Sequence, residues 1–118
     1  MSNTQNAPEA PRHAVMSQFS IVDNCLQVGG RALTDIAREM GNTPFYAYDR
    51  AVMTAQVAAL RAALPQGIHV HYAMKANPMP DVVHHLAGIT DGLDVASAGE
   101  LRVALGTGLD PACISFAG

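Results

Sequence analysis

From Thr43 onward the hydrophobic and polar positions fall into a repeating order. A short, nearly continuous apolar run is followed by a stretch with apolar residues at helical spacing, and glycine or proline separates one unit from the next. TPFYAYD (43–49) reads as a strand. Asp49 is then placed as the N-cap of a helix from about Arg50 to Leu64, whose Val52, Met53, Val57, Leu60 and Leu64 form one stripe. Pro65-Gln66-Gly67 ends it. IHVHYAM (68–74) is the next strand, Asn77 to Pro80 a loop, and DVVHHLA (81–87) a short helix with Pro80 near its first turn. GLDVA (92–96) is a third strand, with Ser97 and Glu100 at the spacing of a capping box before the helix ELRVAL (100–105). ACISFAG (112–118) closes the chain as a fourth strand.

The strand centres near Tyr46, Val70, Asp94 and Ser115 recur about every 21 to 24 residues, room for one strand, one helix and two short loops. Such βα units force the strands parallel. Parallel strands are covered on both faces, which accounts for their apolar runs. A doubly wound open sheet and a (β/α) barrel both satisfy this pattern, and in either one the chemistry collects at the C-terminal ends of the strands.

Upstream the pattern is looser. Residues 1–18 are polar and proline-containing and read as a flexible leader. FSIVDNCLQVGG (19–30) reads as a hairpin turning at Asp23-Asn24, and Leu33, Ile36, Ala37 and Met40 predict a helix stopped by Gly41. At 118 residues and 49% hydrophobic, the chain suits one domain or part of one. The formal net charge of −3, with dispersed cations, offers no basic stripe for nucleic acid. No segment has the apolar length of a membrane span or a signal peptide, and Cys25 and Cys113 have no metal-ligand spacing, so the expectation is a cytoplasmic protein with free thiols.

One residue stands out chemically. Lys75 is the only lysine, because the other six basic residues are arginines, and it ends an apolar run. Strand alternation puts His69, His71, Ala73 and Lys75 on one face and Ile68, Val70, Tyr72 and Met74 on the other. Lys75 can be a rim lysine with its stem packed and its head in water, or a partly desolvated amine directed into a site and suited to Schiff-base chemistry. Asp94, on the next strand, can pair with that amine or cap a strand end. His69 or His71 is expected as a hydrogen-bonded interior residue, His84 and His85 as partly solvated ones, and none as a metal ligand. The glycine pairs match no dinucleotide or phosphate-loop pattern.

These residues carry a resemblance. Tyr72-Ala-Met-Lys75-Ala-Asn77, then Gly92-Leu-Asp-Val-Ala-Ser-Ala-Gly-Glu-Leu101, with Thr43-Pro-Phe-Tyr-Ala-Tyr-Asp49 before them, resemble three ordered motifs of the fold-type III pyridoxal-phosphate-dependent decarboxylases, the diaminopimelate and ornithine decarboxylase family. The resemblance runs from about Phe19 to Gly118. It implies the first four or so strands of a (β/α)8 TIM barrel of the alanine racemase-like kind, over residues 32–118, with residues 19–31 belonging to a β domain. It also implies pyridoxal 5'-phosphate as cofactor, an internal aldimine at Lys75, contact of Ala73 with the cofactor, and Asp94 beside the imine. The full-length protein is then expected to be a homodimer with shared active sites that decarboxylates a small amino acid, with meso-diaminopimelate first and ornithine or arginine next. A racemase of the same fold and a non-catalytic cofactor-binding barrel remain as alternatives. The 118-residue chain alone is expected to be inactive.

Overall fold

The structure is a computed structural model, and it describes residues 17–117. The expected leader lies, up to Met16, outside the described residues. The chain divides into two units at Phe45–Tyr46.

The first unit is a small antiparallel sheet with one helix. Strands β1 (Ile21–Val22) and β2 (Cys25–Val28) pair as the hairpin the sequence predicts. The turn residues Asp23 and Asn24 have φ of 49° and 58°, the left-handed pair that a two-residue turn needs and that Asp and Asn tolerate. A second tight turn through Gly29-Gly30 adds strand β3 (Arg31–Ala32), which the sequence pattern did not announce. Helix α1 (Leu33–Met40) packs on β2 and β3 and ends at Gly41, whose φ of 74° closes the helix.

The boundary between the units falls within the TPFYAYD stretch, and here the expectation of a strand fails. No ladder forms over residues 43–49 among the described residues. Tyr46 is 92% exposed, so no burial holds this stretch against a neighbouring strand. Asp49 does act as predicted: its Oδ1 accepts the N–H groups of Ala51 (2.8 Å) and Val52 (3.4 Å) and starts helix α2 (Arg50–Ala63).

Strand β4 is shorter than expected, His71–Ala73, because the chain tightens into a 3₁₀ turn over Met74–Ala76. Helix α3 (Pro80–Ala87), strand β5 (Gly92–Val95), helix α4 (Ala98–Leu105) and strand β6 (Ile114–Phe116) follow. The order β4-β5-β6 is parallel, with Ala73 opposite Asp94 and Asp94 opposite Ser115. The core lies on one face, where Met74, Val83, Leu93, Val95 and Ala104 are fully or almost fully buried and Tyr72, Leu101 and Ile114 pack around them. Alternation sends His71, Ala73, Gly92, Asp94 and Ser115 to the other face. The expectation of a sheet covered on both sides is therefore corrected: among the described residues only one face is covered.

Helix α2 is tied to the sheet by a polar clasp. Arg61 Nη1 donates to Asp91 Oδ2 (3.0 Å) and Nη2 to the Ile89 carbonyl (3.2 Å), and the same Asp91 oxygen accepts the Val70 N–H (2.7 Å). The Arg61 guanidinium first, and the Val70 amide next, hold the Asp91 carboxyl below the usual carboxylate range. No helix among the described residues is long and apolar enough to cross a membrane.

Candidate active site

The uncovered face and the C-terminal ends of its strands form one recess. Ala73, Lys75, Asp94 and Glu100 line it, with Val95, Ala96 and Ala117, and it holds about 320 Å³ of space open to solvent. The three residues singled out from sequence, Lys75, Ala73 and Asp94, are thus brought together.

Each is placed by local structure. Lys75 sits in the 3₁₀ turn rather than on the strand itself. The turn is fixed from both sides: Met74 before it is fully buried, and the Tyr72 hydroxyl reaches across it to donate to the Asn77 carbonyl (2.9 Å). Burial raises the Tyr72 phenol above its usual range, more than the hydrogen bond to Asn77 lowers it, so the hydroxyl keeps the proton it donates. Asn77 continues the bracing, since its Oδ1 accepts the Met79 N–H (3.0 Å) in an Asx turn that leads into α3. The K-A-N-P run is therefore a structural device for holding one side chain at a strand end.

Lys75 is exposed, as a rim lysine with its head in water would be, and not partly desolvated as the other reading has it. Its face of the sheet carries no second layer among the described residues. It also makes no ion pair among them, and Asp94 does not take it as a partner. Asp94 Oδ1 accepts from Ser115 Oγ and lies 3.3 Å from His71 Nδ1.

Glu100 is the second carboxylate of the recess, and sequence reasoning treated it only as a cap. It does cap: Ser97 Oγ accepts the Glu100 N–H (3.1 Å), and Glu100 Oε2 reaches back to the Ala96 N–H (2.7 Å). That reach carries its carboxylate to the recess wall. Ser115 and Ala117 were also missed. Their parity in ACISFAG could have put them on one face, but only the register Asp94↔Ser115 shows which residues they meet.

The floor is made of small residues. At Gly92 an added Cβ would lie 2.5 Å from His71 Cε1 and 2.4 Å from the Cys113 carbonyl oxygen, so the ring of His71 lies directly over this glycine. The expectation of an interior His69 or His71 is not met, since both are exposed on the uncovered face or at its edge. His85 Nε2 bonds Thr54 Oγ1 (3.0 Å) and His84 is exposed. Among the described residues, no three His, Cys, Asp or Glu side chains converge as a metal-binding set.

Known proteins share this arrangement of sequence and fold. The family model described as "Pyridoxal-dependent decarboxylase, pyridoxal binding domain" matches residues 50–118. A diaminopimelate decarboxylase of Pseudomonas aeruginosa is 42% identical over 104 residues, covering 87% of this chain and 25% of the relative. One from Aquifex aeolicus is 35% identical over 96 residues, covering 81% and 22%, and a lysine/ornithine decarboxylase of Selenomonas ruminantium is 37% identical over 75, covering 64% and 19%. The crystal structure of a diaminopimelate decarboxylase from M. jannaschi superposes with a TM-score of 0.69 at 25% identity, covering 86% of this chain and 25% of that one. The chain spans about a quarter of the length of the relatives it matches. The match takes in the Lys75 turn, the Asp94 strand and the Glu100 helix together, and the chain belongs to the family of pyridoxal-dependent decarboxylases, in their pyridoxal-binding domain.

Proposed function

We propose that this chain forms the lysine-bearing side of the pyridoxal phosphate site in an amino-acid decarboxylase of the diaminopimelate type. The observation that carries the reading is the recess itself: a single amine, Lys75, on a floor of small side chains between two carboxylates, Asp94 and Glu100.

The residues present fit such a cofactor. Ala73, Ala96 and Ala117 leave open the space beside Lys75, and Lys75 has no ion-pair partner among the described residues that would have to be displaced. Pyridoxal phosphate, when bound, supplies an aldehyde that condenses with amines and a ring that accepts the electron pair left when a carboxylate departs as CO2. Lys75 Nζ is the attachment point, and its exposure lets it be reached. Ala73, two residues before it on β4, lines the same recess and would lie against the cofactor. Asp94 presents a carboxylate beside the amine and favours positive charge there.

The three parallel strands and their helices are read as part of a (β/α)8 barrel, and the hairpin of residues 19–31 as part of the β domain that accompanies it. The whole protein is read as a cytoplasmic homodimer acting on a basic amino acid, with meso-diaminopimelate first because relatives of that name recur at 35–42% identity.

Borohydride reduction after incubation with pyridoxal phosphate, followed by peptide mapping, tests the attachment. A pyridoxyl mass is expected on Lys75 and nowhere in Lys75→Ala; labelling that survives the substitution overturns the assignment. Assays of CO2 release by the full-length protein from diaminopimelate, ornithine and lysine then rank the substrates.

A further inference from the structure

We infer that His71 is a positioning residue for Asp94, a role that rests on the reading of Lys75 as the cofactor's attachment point. The Asp94 carboxylate is engaged on one side only. Oδ1 takes the Ser115 hydroxyl and lies 3.3 Å from His71 Nδ1, whereas Oδ2 accepts no hydrogen bond among the described residues. Two groups from the two flanking strands therefore meet the same oxygen: Ser115 from β6 bonds it and His71 Nδ1 from β4 stands 3.3 Å away, so a turn of the carboxylate about χ2 breaks the first contact and opens the second. Its second oxygen is left for whatever occupies the recess with Lys75.

The ring of His71 is itself fixed. It lies over Gly92, where an added Cβ would fall 2.5 Å from Cε1 and 2.7 Å from Nδ1, so the strand has no side chain at the place the imidazole occupies. The 3.3 Å approach of Nδ1 to Oδ1 couples the orientation of the carboxylate to that of the ring. His71 lines no part of the recess, so it acts through Asp94 rather than on the ligand.

The test uses the full chain with pyridoxal phosphate and reads the cofactor concentration that gives half-maximal borohydride labelling of Lys75, together with the visible absorption maximum of the loaded protein. His71→Phe keeps an aromatic ring and loses the polar atom 3.3 Å from Oδ1; it is expected to raise the half-maximal concentration roughly tenfold, the scale of a close polar contact to a charged group, and to shift the absorption band. His71→Asn puts an amide N–H near the place of Nδ1 and is expected to stay within roughly threefold of wild type. In an Asp94→Asn background the same His71→Phe change is expected to add less than roughly twofold, because the partner it acts through is gone. Full additivity with Asp94→Asn, or equal losses in Phe and Asn, overturns the positioning role while Lys75 labelling stands. Absence of label from wild-type Lys75 overturns the underlying reading instead, and this inference with it.

Discussion

Gly92→Ala is the sharpest test of how the sheet and the recess are joined. A methyl at this position would lie 2.4 Å from the Cys113 carbonyl oxygen and 2.5 and 2.7 Å from two atoms of the His71 ring, all inside van der Waals contact. The ring can rotate away. The carbonyl cannot, because Cys113 leads directly into β6 and β6 is laddered to β5 from Leu93↔Ile114 onward. Relief therefore requires the β5–β6 pair to part by several tenths of an ångström at its start. Overpacking of this kind costs about 1–3 kcal/mol, and the backbone partner puts Gly92→Ala near the upper end.

At about 4–8 °C per kcal/mol for a domain of this size, the melting temperature should fall by roughly 10–20 °C. Gly99→Ala is the matched control. It makes the same chemical change in the first turn of α4, where the nearest atom to an added Cβ is Ser97 Oγ at 3.8 Å. There the lower entropy of the unfolded chain should leave stability unchanged or raise it by about 0.4–1 kcal/mol. Thermal unfolding followed by circular dichroism, with urea titration beside it, reads both. If Gly92→Ala melts within about 2 °C of wild type, or if Gly99→Ala loses as much as Gly92→Ala, the packing argument is wrong.

Two further substitutions probe the supports of the site. Leu93→Ala empties a fully buried position between Met74, Val83 and Val95 and should cost about 2–5 kcal/mol, seen as a lower urea midpoint at unchanged slope; a loss below about 1 kcal/mol would place the core elsewhere. Asp91→Asn tests the clasp on α2 through its pH dependence. The folded carboxyl titrates below its unfolded value, so its stabilisation is whole above the ordinary carboxylate range and is lost as the pH falls through the folded pKa. Wild type should therefore lose stability more steeply than Asp91→Asn on acidification below about pH 4, and parallel curves would remove Arg61–Asp91 from the account.

Much of this was legible in the residues, for identifiable reasons. The capping signals at Asp49 and Ser97 and the left-handed turn at Asp23-Asn24 depend on neighbours within a few positions, and each appears where the sequence put it. Alternation likewise assigned Tyr72 and Met74 to the core and Ala73 to the opposite face. What failed depended on partners distant in the chain. TPFYAYD has the composition of a strand, but a strand exists only where a neighbour completes its ladder, and Tyr46 stands 92% exposed instead. The contacts of Asp94 were out of reach for the same reason: register alone decides that Ser115 and His71 meet it, while Lys75 does not.

The charges of the recess limit what end of a cofactor it can hold. Lys75 contributes one formal positive charge and Asp94 and Glu100 one negative charge each, so the side chains that line the recess carry a formal net charge of −1. Each carboxylate also has one oxygen already engaged, Asp94 by Ser115 and Glu100 by the Ala96 amide, which fixes where the negative charge sits. A phosphate group carrying close to two negative charges would be repelled here, and no arginine side chain lines the recess to receive it. A protonated amine or imine is attracted instead. The lining of the recess therefore suits a cationic group better than a phosphate, which is in keeping with the proposal that Lys75 would meet the aldehyde end of the cofactor. On that proposal the phosphate would be held by residues outside this recess.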